Sequence, residues 1–353
     1  MAMGTAAEEI RKIAGYGVMA PSGDNCQPWA FRLKGDILEV IDDRTRDTSF
    51  YNFRNTASYI AHGALLENIR IASRALGYEL TEELFPDGED GLTIAKIRFS
   101  KAHPLDEPLF PFIEIRCTNR FKYNGSPLAD ETRSALNASV AAVSGAGLLL
   151  AEGRAKDIAA KAASSNDRIL FEHKGLHDFL FDHIRWSAKE AEAARDGMDI
   201  RTLGLDPVQQ RLFPLLRSWN LLRVLNSLGL SRMLPLQSYM LCKGSSAMGL
   251  VEVRGSGPRA YLSGGSAVQR AWLTATMLGL SFQPMTGILF LLNRLYKDAD
   301  SIATVHRIVL KKAEALLKEA FSLSPGSTPV MLFRIGPGKP PGVSSLRMPV
   351  VLK

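Results

Sequence analysis

Two apolar helical segments far apart in the chain carry the same punctuation, and this echo constrains the fold more than any other feature. One runs from Gly63 to Gly77 and the other from Gly265 to Gly279; each opens on a glycine and ends on a Leu-Gly pair, its two glycines 14 positions apart. A terminal glycine accepts the left-handed conformation that closes a helix. Small residues along both segments allow two such helices to pack closely. The echo points to duplicated modules.

With 353 residues, the chain is long enough for two domains or one large composite. Hydrophobic residues make up 46% and charged residues 22%, the balance of a soluble globular protein. No apolar run reaches the ~18 residues of a membrane helix. The opening segment lacks the basic flank and apolar centre of a signal peptide and reads as the start of a helix. Cys26, Cys117 and Cys242 are odd in number and far apart, which argues against zinc and disulfide frameworks and fits a reducing cytoplasm. The net charge of +7 comes without a dense basic stripe interleaved with aromatics, so localised charge for a phosphorylated small molecule is expected rather than nucleic acid. No membrane partner is expected either.

The periodicity predicts helices near 6–19, 58–76, 129–142, 154–193 and 300–321, and strands near 29–33, 37–42, 92–99, 147–151, 248–253 and 329–336. A Pro-rich stretch from His103 to Pro111 marks a boundary, giving a first module 1–111 and a second 112–353. The punctuated helical region 190–235 suits an excursion or lid, and the Pro/Gly-rich tail 337–353 must be tied down by contacts.

The loop from Ala20 to Phe31 joins several chemistries. Pro21, Gly23 and Pro28 fix a non-helical turn, while Ser22, Asn25 and Gln27 offer groups that both donate and accept hydrogen bonds. Trp29 and Phe31 alternate as at the start of a half-buried strand. Such a loop can hold a planar heterocycle by its edge, or can be a polar turn anchored by a buried Trp. Further along, Arg116, Thr118 and Arg120 project to one side if the backbone is extended. Two guanidiniums and a hydroxyl then form a phosphate clamp, because Arg pairs with phosphate oxygens bidentately; an exposed basic turn is the alternative. Arg347 can add a cation from the tail.

Together these segments resemble the FMN-dependent nitroreductases. Pro21 to Trp29 looks like their signature loop, and Arg116-Cys117-Thr118-Asn119-Arg120 like their Arg-x-Ser/Thr-x-Arg/Lys phosphate segment. Pro284-Met285-Thr286-Gly287 resembles the stretch whose backbone crosses the flavin toward N5, and Ser345-Leu346-Arg347 the C-terminal Lys-x-Arg element. The loop precedes the phosphate segment, which is the order of the tandem, Acg-like branch, where one chain mimics a dimer. The first module has no Arg-x-Ser-x-Arg of its own before the loop, so one FMN site is expected.

The resemblance implies an α+β fold of two fused, unequal modules, each a mainly antiparallel sheet with packed helices. It implies an FMN oxidoreductase that moves hydride from NADPH or NADH through flavin N5 to a small organic acceptor, with no catalytic side chain certain and the Gly287 backbone supporting N5. The alternative is a protein that sequesters FMN with little turnover. Cofactor contacts are expected from Pro21, Ser22, Gly23, Asn25, Gln27, Arg116, Thr118, Arg120, Pro284, Met285, Thr286, Gly287 and Arg347, with Lys243 on the pyrimidine side. The tandem chain is expected to be a pseudo-dimer and can pair further as a homodimer. Thr286 and Ser345 depart from the common pattern of the superfamily and leave the substrate range open. His173 and His177, four apart on a helix, lack a matching third ligand, so no metal is expected.

Overall fold

The computed structural model describes residues 2–353. In chain order the first part holds helix α1 (Ala2–Gly17), strands β1 (Trp29–Lys34) and β2 (Ile37–Asp42), helix α2 (Thr56–Ala75), and strands β3 (Tyr78–Leu84) and β4 (Thr93–Lys101). Next come α3 (Asp130–Ala141), β5 (Ala146–Ala151), α4 (Gly153–Glu172), α5 (Lys174–Asp182), β6 (Ile184–Arg185), α6 (Ala188–Ala194) and β7 (Met198–Asp199). The chain continues through α7 (Pro207–Leu212), α8 (Trp219–Ser227), α9 (Leu230–Lys243), β8 (Ala247–Arg254) and α10 (Pro258–Met277). It ends with β9 (Ser281–Pro284), α11 (Gly287–Lys297), α12 (Thr304–Ala320) and β10 (Ser327–Gly336).

Two four-stranded sheets, in the orders β1-β2-β4-β3 and β5-β8-β10-β9, are antiparallel throughout. The fold is α+β, with one sheet built from residues 29–101 and the other from residues 146–336. The first hairpin pairs Trp29 with Asp42 and Lys34 with Ile37 across a two-residue turn where Gly35 takes φ 62°. Trp29 and Phe31 both point into the core.

The echo helices α2 and α10 pack against each other along the middle of the molecule. A Cβ on Gly63 would lie 1.9 Å from the Leu262 carbonyl oxygen, and one on Gly265 would lie 2.1 Å from that of Ile60. The polar contacts repeat the relationship: Arg270 donates to Glu67 at 2.8 Å, and Gln269 donates to Asn68 at 2.7 Å. Glu67 and Gln269 occupy matching echo positions, as do Asn68 and Arg270, so the two pairs are related as in an isologous dimer interface. One hydrophobic core, with Leu65, Ile69, Val268, Trp272 and Phe333 among its members, runs through both halves.

The structure differs from the sequence reading in three places. The helix predicted over 154–193 is three helices. His173 adopts an extended backbone (φ −109°, ψ 112°) and its ring accepts the Leu176 N–H, so it caps α5 instead of continuing α4. Between α5 and α6, Ile184 pairs with Met198 in the small parallel β6–β7 ladder. Strand β3 was hidden by its glutamates. Its register places Glu83 opposite Lys96, and Arg70 pairs with Glu82 at 2.6 Å, which offsets the charge of an acidic edge strand. Residues 116–120 are not a regular strand; Thr118 makes a single parallel bridge to Phe282, and the Asn119 N–H donates to the Phe282 carbonyl at 3.0 Å.

The tail is tied down as expected, and to the other half of the sequence. Leu352 bridges Phe31 in parallel, and the Leu33 N–H donates to the Lys353 carbonyl at 3.0 Å, along the edge of β1. Among the described residues, no helix is long and apolar enough to cross a membrane.

Candidate cofactor site

The loop after α1 is bent by three non-glycine residues in the left-handed region: Asp24 (φ 42°), Asn25 (φ 58°) and Gln27 (φ 52°). Such clustering stores strain that the surroundings must hold. Ser22 holds it from below, its carbonyl accepting the Asn25 N–H and its hydroxyl the Gln27 N–H at 3.0 Å. The loop thereby turns Pro21, Ser22, Gly23 and Asp24 toward a cavity of about 330 Å³.

That cavity lies against both echo helices. Ala57, Ile60, Ala61 and Ala64 of α2 form one wall with Val268 and Trp272 of α10; Pro284, Met285, Thr286 and Gly287 close another. The last four connect β9 to α11, and a Cβ on Gly287 would meet Asn166 Oδ1 at 2.4 Å, so a side chain there would displace the Asn166 amide. Leu176, Phe179 and Leu180 of α5 and Ser238 of α9 complete the lining.

A smaller arm of about 70 Å³ adjoins this cavity and shares Pro21, Ser22, Asp24, Thr118 and Arg120 with it. Arg116, Asn25, Ser345 and Arg347 also line the arm. Three guanidiniums therefore converge from segments that are distant in sequence. Arg116 donates to the Met19 carbonyl at 2.7 Å and lies 4.5 Å from the Trp272 ring centroid. Arg120 donates to the Thr202 carbonyl at 3.2 Å and faces the Met198 sulfur; Arg347 donates to the Ser345 and Leu346 carbonyls. None of these partners is a carboxylate, and Nε of both Arg116 and Arg347 is buried without a partner. Burial pushes Arg116 down to about 9, with repulsion from Arg347 adding to the effect, and pushes Arg347 down to about 10. Uncompensated buried cations are costly unless an anion joins them.

The carboxyls at the larger cavity are displaced the other way. Burial pushes Asp47 up to about 6, and Asp167 also up to about 6. Asp24 is raised by burial too, against the attraction of His183 and Arg120. Tyr51 donates to Asn166 Oδ1 at 2.9 Å on the same wall. These residues escaped the sequence reading. Asp47 and Tyr51 sit in a polar stretch without periodicity, and Asn166, Asp167 and Ser238 lie on helices whose inward faces nothing local identifies.

Two of the expected residues line neither the cavity nor its arm. Lys243 lines neither space; it ends α9, about half exposed, and pairs with Asp157 at 3.5 Å. Its position is fixed by the length of α9, which the sequence did not reveal. Gln27 is fully buried and its amide is already engaged, donating to the Arg195 carbonyl at 2.9 Å and accepting the Met348 N–H at 2.9 Å. It clips the excursion and the tail to the loop instead of facing the cavity. Asn25 similarly donates to the Gly197 and Leu346 carbonyls, although it still lines the arm.

The echo relationship also exposes a counterpart cleft. Arg259, Leu262, Ser263 and Ser266 match Ala57, Ile60, Ala61 and Ala64 in position, and they line a cleft of about 330 Å³ with Arg70, the match of Trp272. Its cations are already paired: Arg70 with Glu82 and Glu67, Arg259 with Glu89, Arg270 with Glu67, and Arg74 with Glu107. The two clefts share a frame but not a chemistry.

A Mycobacterium tuberculosis (strain CDC 1551 / Oshkosh) protein named only as uncharacterized is 30% identical over 344 residues, covering 95% of this chain and 46% of its own length. Another from the same strain, named a putative NAD(P)H nitroreductase, is 26% identical over 334 residues, covering 94% of this chain and 85% of its own. The putative NAD(P)H nitroreductase acg of that strain is 29% identical over 126 residues, covering 35% of this chain and 38% of its own. The chain thus spans less than half the length of the first of these and matches little over a third of the last. No protein-family model matches. The FMN-dependent nitroreductase NfnB from Mycobacterium smegmatis, solved in complex with NADPH, covers 65% of this chain and 87% of its own at 15% identity, with a TM-score of 0.35, too low to bear on the fold. Fold and site together define an α+β protein with two antiparallel sheets and a pocket whose arm is lined by arginines without carboxylate partners. By sequence, the chain is similar to mycobacterial proteins named putative NAD(P)H nitroreductases.

Proposed function

We propose that the chain is an FMN-dependent oxidoreductase that takes electrons from NADPH or NADH and passes them to a small organic acceptor. The observation that carries this reading is the convergence of the buried Arg116 with the half-buried Arg120 and Arg347, none with a carboxylate partner, on an arm of the larger cavity. A phosphomonoester matches three fixed guanidiniums and the Thr118 hydroxyl, and its charge would satisfy the orphaned Nε groups. The ring would then extend between Pro21–Gly23 and Pro284–Gly287, with Trp272 and the alanines of α2 alongside. FMN, when bound, supplies hydride exchange between a nicotinamide and an organic acceptor. The chain's own residues orient it, and burial raises the carboxyls of Asp24 and Asp47 in the same cavity.

The paired cations of the counterpart cleft support one cofactor per chain. The separate sheets support a division near residue 111, the first module ending there. The test is the absorbance spectrum of the purified protein, before and after anaerobic addition of NADPH or NADH. A flavin band that bleaches supports the reductase and names its donor. A band that persists favours FMN sequestration, and no band after incubation with FMN overturns the phosphate site.

A further inference from the structure

The region 207–243 has an unusual composition for a surface: Arg211, Arg217, Arg223, Arg232 and Lys243, and not one Asp or Glu. The four arginines are all exposed. They flank aliphatic side chains that face outward. On α7 and the turn after it, Val208, Leu212 and Leu215 are exposed. On and just beyond α8, Leu221, Val224 and Leu228 follow a spacing of three and four residues, which places them on one helix face. Along α9, Met233, Leu236 and Met240 repeat that spacing. Exposure reaches 80% at Leu228 and 70% at Met233, on either side of the turn that joins α8 to α9. The opposite sides of these helices are occupied: Leu222 is fully buried, and Ser238 bonds to Asp167 at the cavity wall.

We propose that the outer face of α7–α9 docks on an anionic lipid bilayer, lying in its interface without crossing it. Aliphatic stripes beside arginines, with no acidic side chain in the region, match the two attractions such a surface offers: apolar burial at the acyl boundary and phosphate headgroups for the guanidiniums. A second copy of the chain fits less well. An isologous contact would bring four more exposed arginines to the same patch. The expectation of no membrane partner rested on the lack of a spanning segment, a criterion that does not detect a helix lying on the surface. Because α9 lines the cavity with Ser238 and exposes Met233, Leu236 and Met240 on its other side, docking would set the pocket close to the lipid.

The test is co-sedimentation of the full chain with phosphatidylcholine vesicles and with equimolar phosphatidylcholine–phosphatidylglycerol vesicles, at low and high salt. Binding to the anionic vesicles, weakened by salt and lost in L228E/M233E, is the expected result. The exposed-charge variant R223E/R232E alters no packed side chain and should lower partitioning roughly tenfold or more. The absence of vesicle binding, or binding unaffected by both variants, overturns the proposal. So does a concentration-dependent dimer in sedimentation equilibrium that the same variants dissolve. None of these readouts depends on bound flavin, so failure here is distinguishable from failure of the oxidoreductase reading.

Discussion

The Cα of Gly265 lies 3.0 Å from where a Cβ on Gly63 would stand, and the Cα of Gly63 lies 3.0 Å from where one on Gly265 would stand. The two glycines mark the crossing of α2 and α10, where the backbones meet without side chains between them. Alanine at either position would gain about 1 kcal/mol of helix propensity. It would also drive a methyl into a carbonyl oxygen of the facing helix, which has no rotamer to yield. Gly63→Ala and Gly265→Ala should each destabilise by about 3 kcal/mol or more, measured by urea unfolding. An unchanged midpoint would show that the crossing relaxes freely.

Arg116 offers a test in which stability and affinity move in opposite directions. Methionine retains much of its volume and removes a buried, uncompensated charge. The flavin-free Arg116→Met protein should melt at or above the wild type. Added FMN should raise the wild-type Tm through ligand linkage and leave that of the variant nearly unmoved. Lys243→Met, on the far end of α9, should respond to FMN as the wild type does. Thermal scans with and without FMN separate these cases.

Gln27 satisfies the Arg195 carbonyl and the Met348 N–H with one side chain. Gln27→Ala would strand both groups at a cost of about 1–3 kcal/mol. The effect should concentrate where the clip acts, as faster amide hydrogen exchange in residues 343–353 and near Gly197, with β8 and β10 unchanged.

The Asp47 carboxyl has a folded pKa of about 6 against an ordinary 3.8, because burial disfavours its charge. Between those values the folded chain binds more protons than the unfolded one, so this group's contribution to stability falls as pH rises from about 4 to 6. Asparagine keeps an oxygen for the Ser49 N–H but does not ionise. Asp47→Asn should therefore match the wild type near pH 4 and exceed its stability above pH 6, by up to about 3 kcal/mol. Denaturation midpoints across that range decide it, and a constant offset at all pH values would contradict the assignment.

Elements with strong local signals were legible in the sequence. The period-two pattern gave β1, β2 and β4, the Leu-Gly endings gave α2 and α10, and Pro21–Gly23, Arg116, Thr118, Arg120 and Arg347 were singled out before the fold gathered them at the cavity and its arm. These features are written in residues whose chemistry acts within a few positions: glycine caps, proline turns and apolar periodicity. The partners of Gln27, the reach of Lys243, and the arrival of Asp47, Tyr51 and Asn166 at one cavity were decided only by tertiary structure. There, burial and close approach of distant segments determine which polar groups stay free for a ligand and which are consumed by the fold. The paired arginines of the counterpart cleft show the same division. Arginine is as visible in the sequence at Arg70 as at Arg116, but only the packing brings glutamates to the first and leaves the second without one.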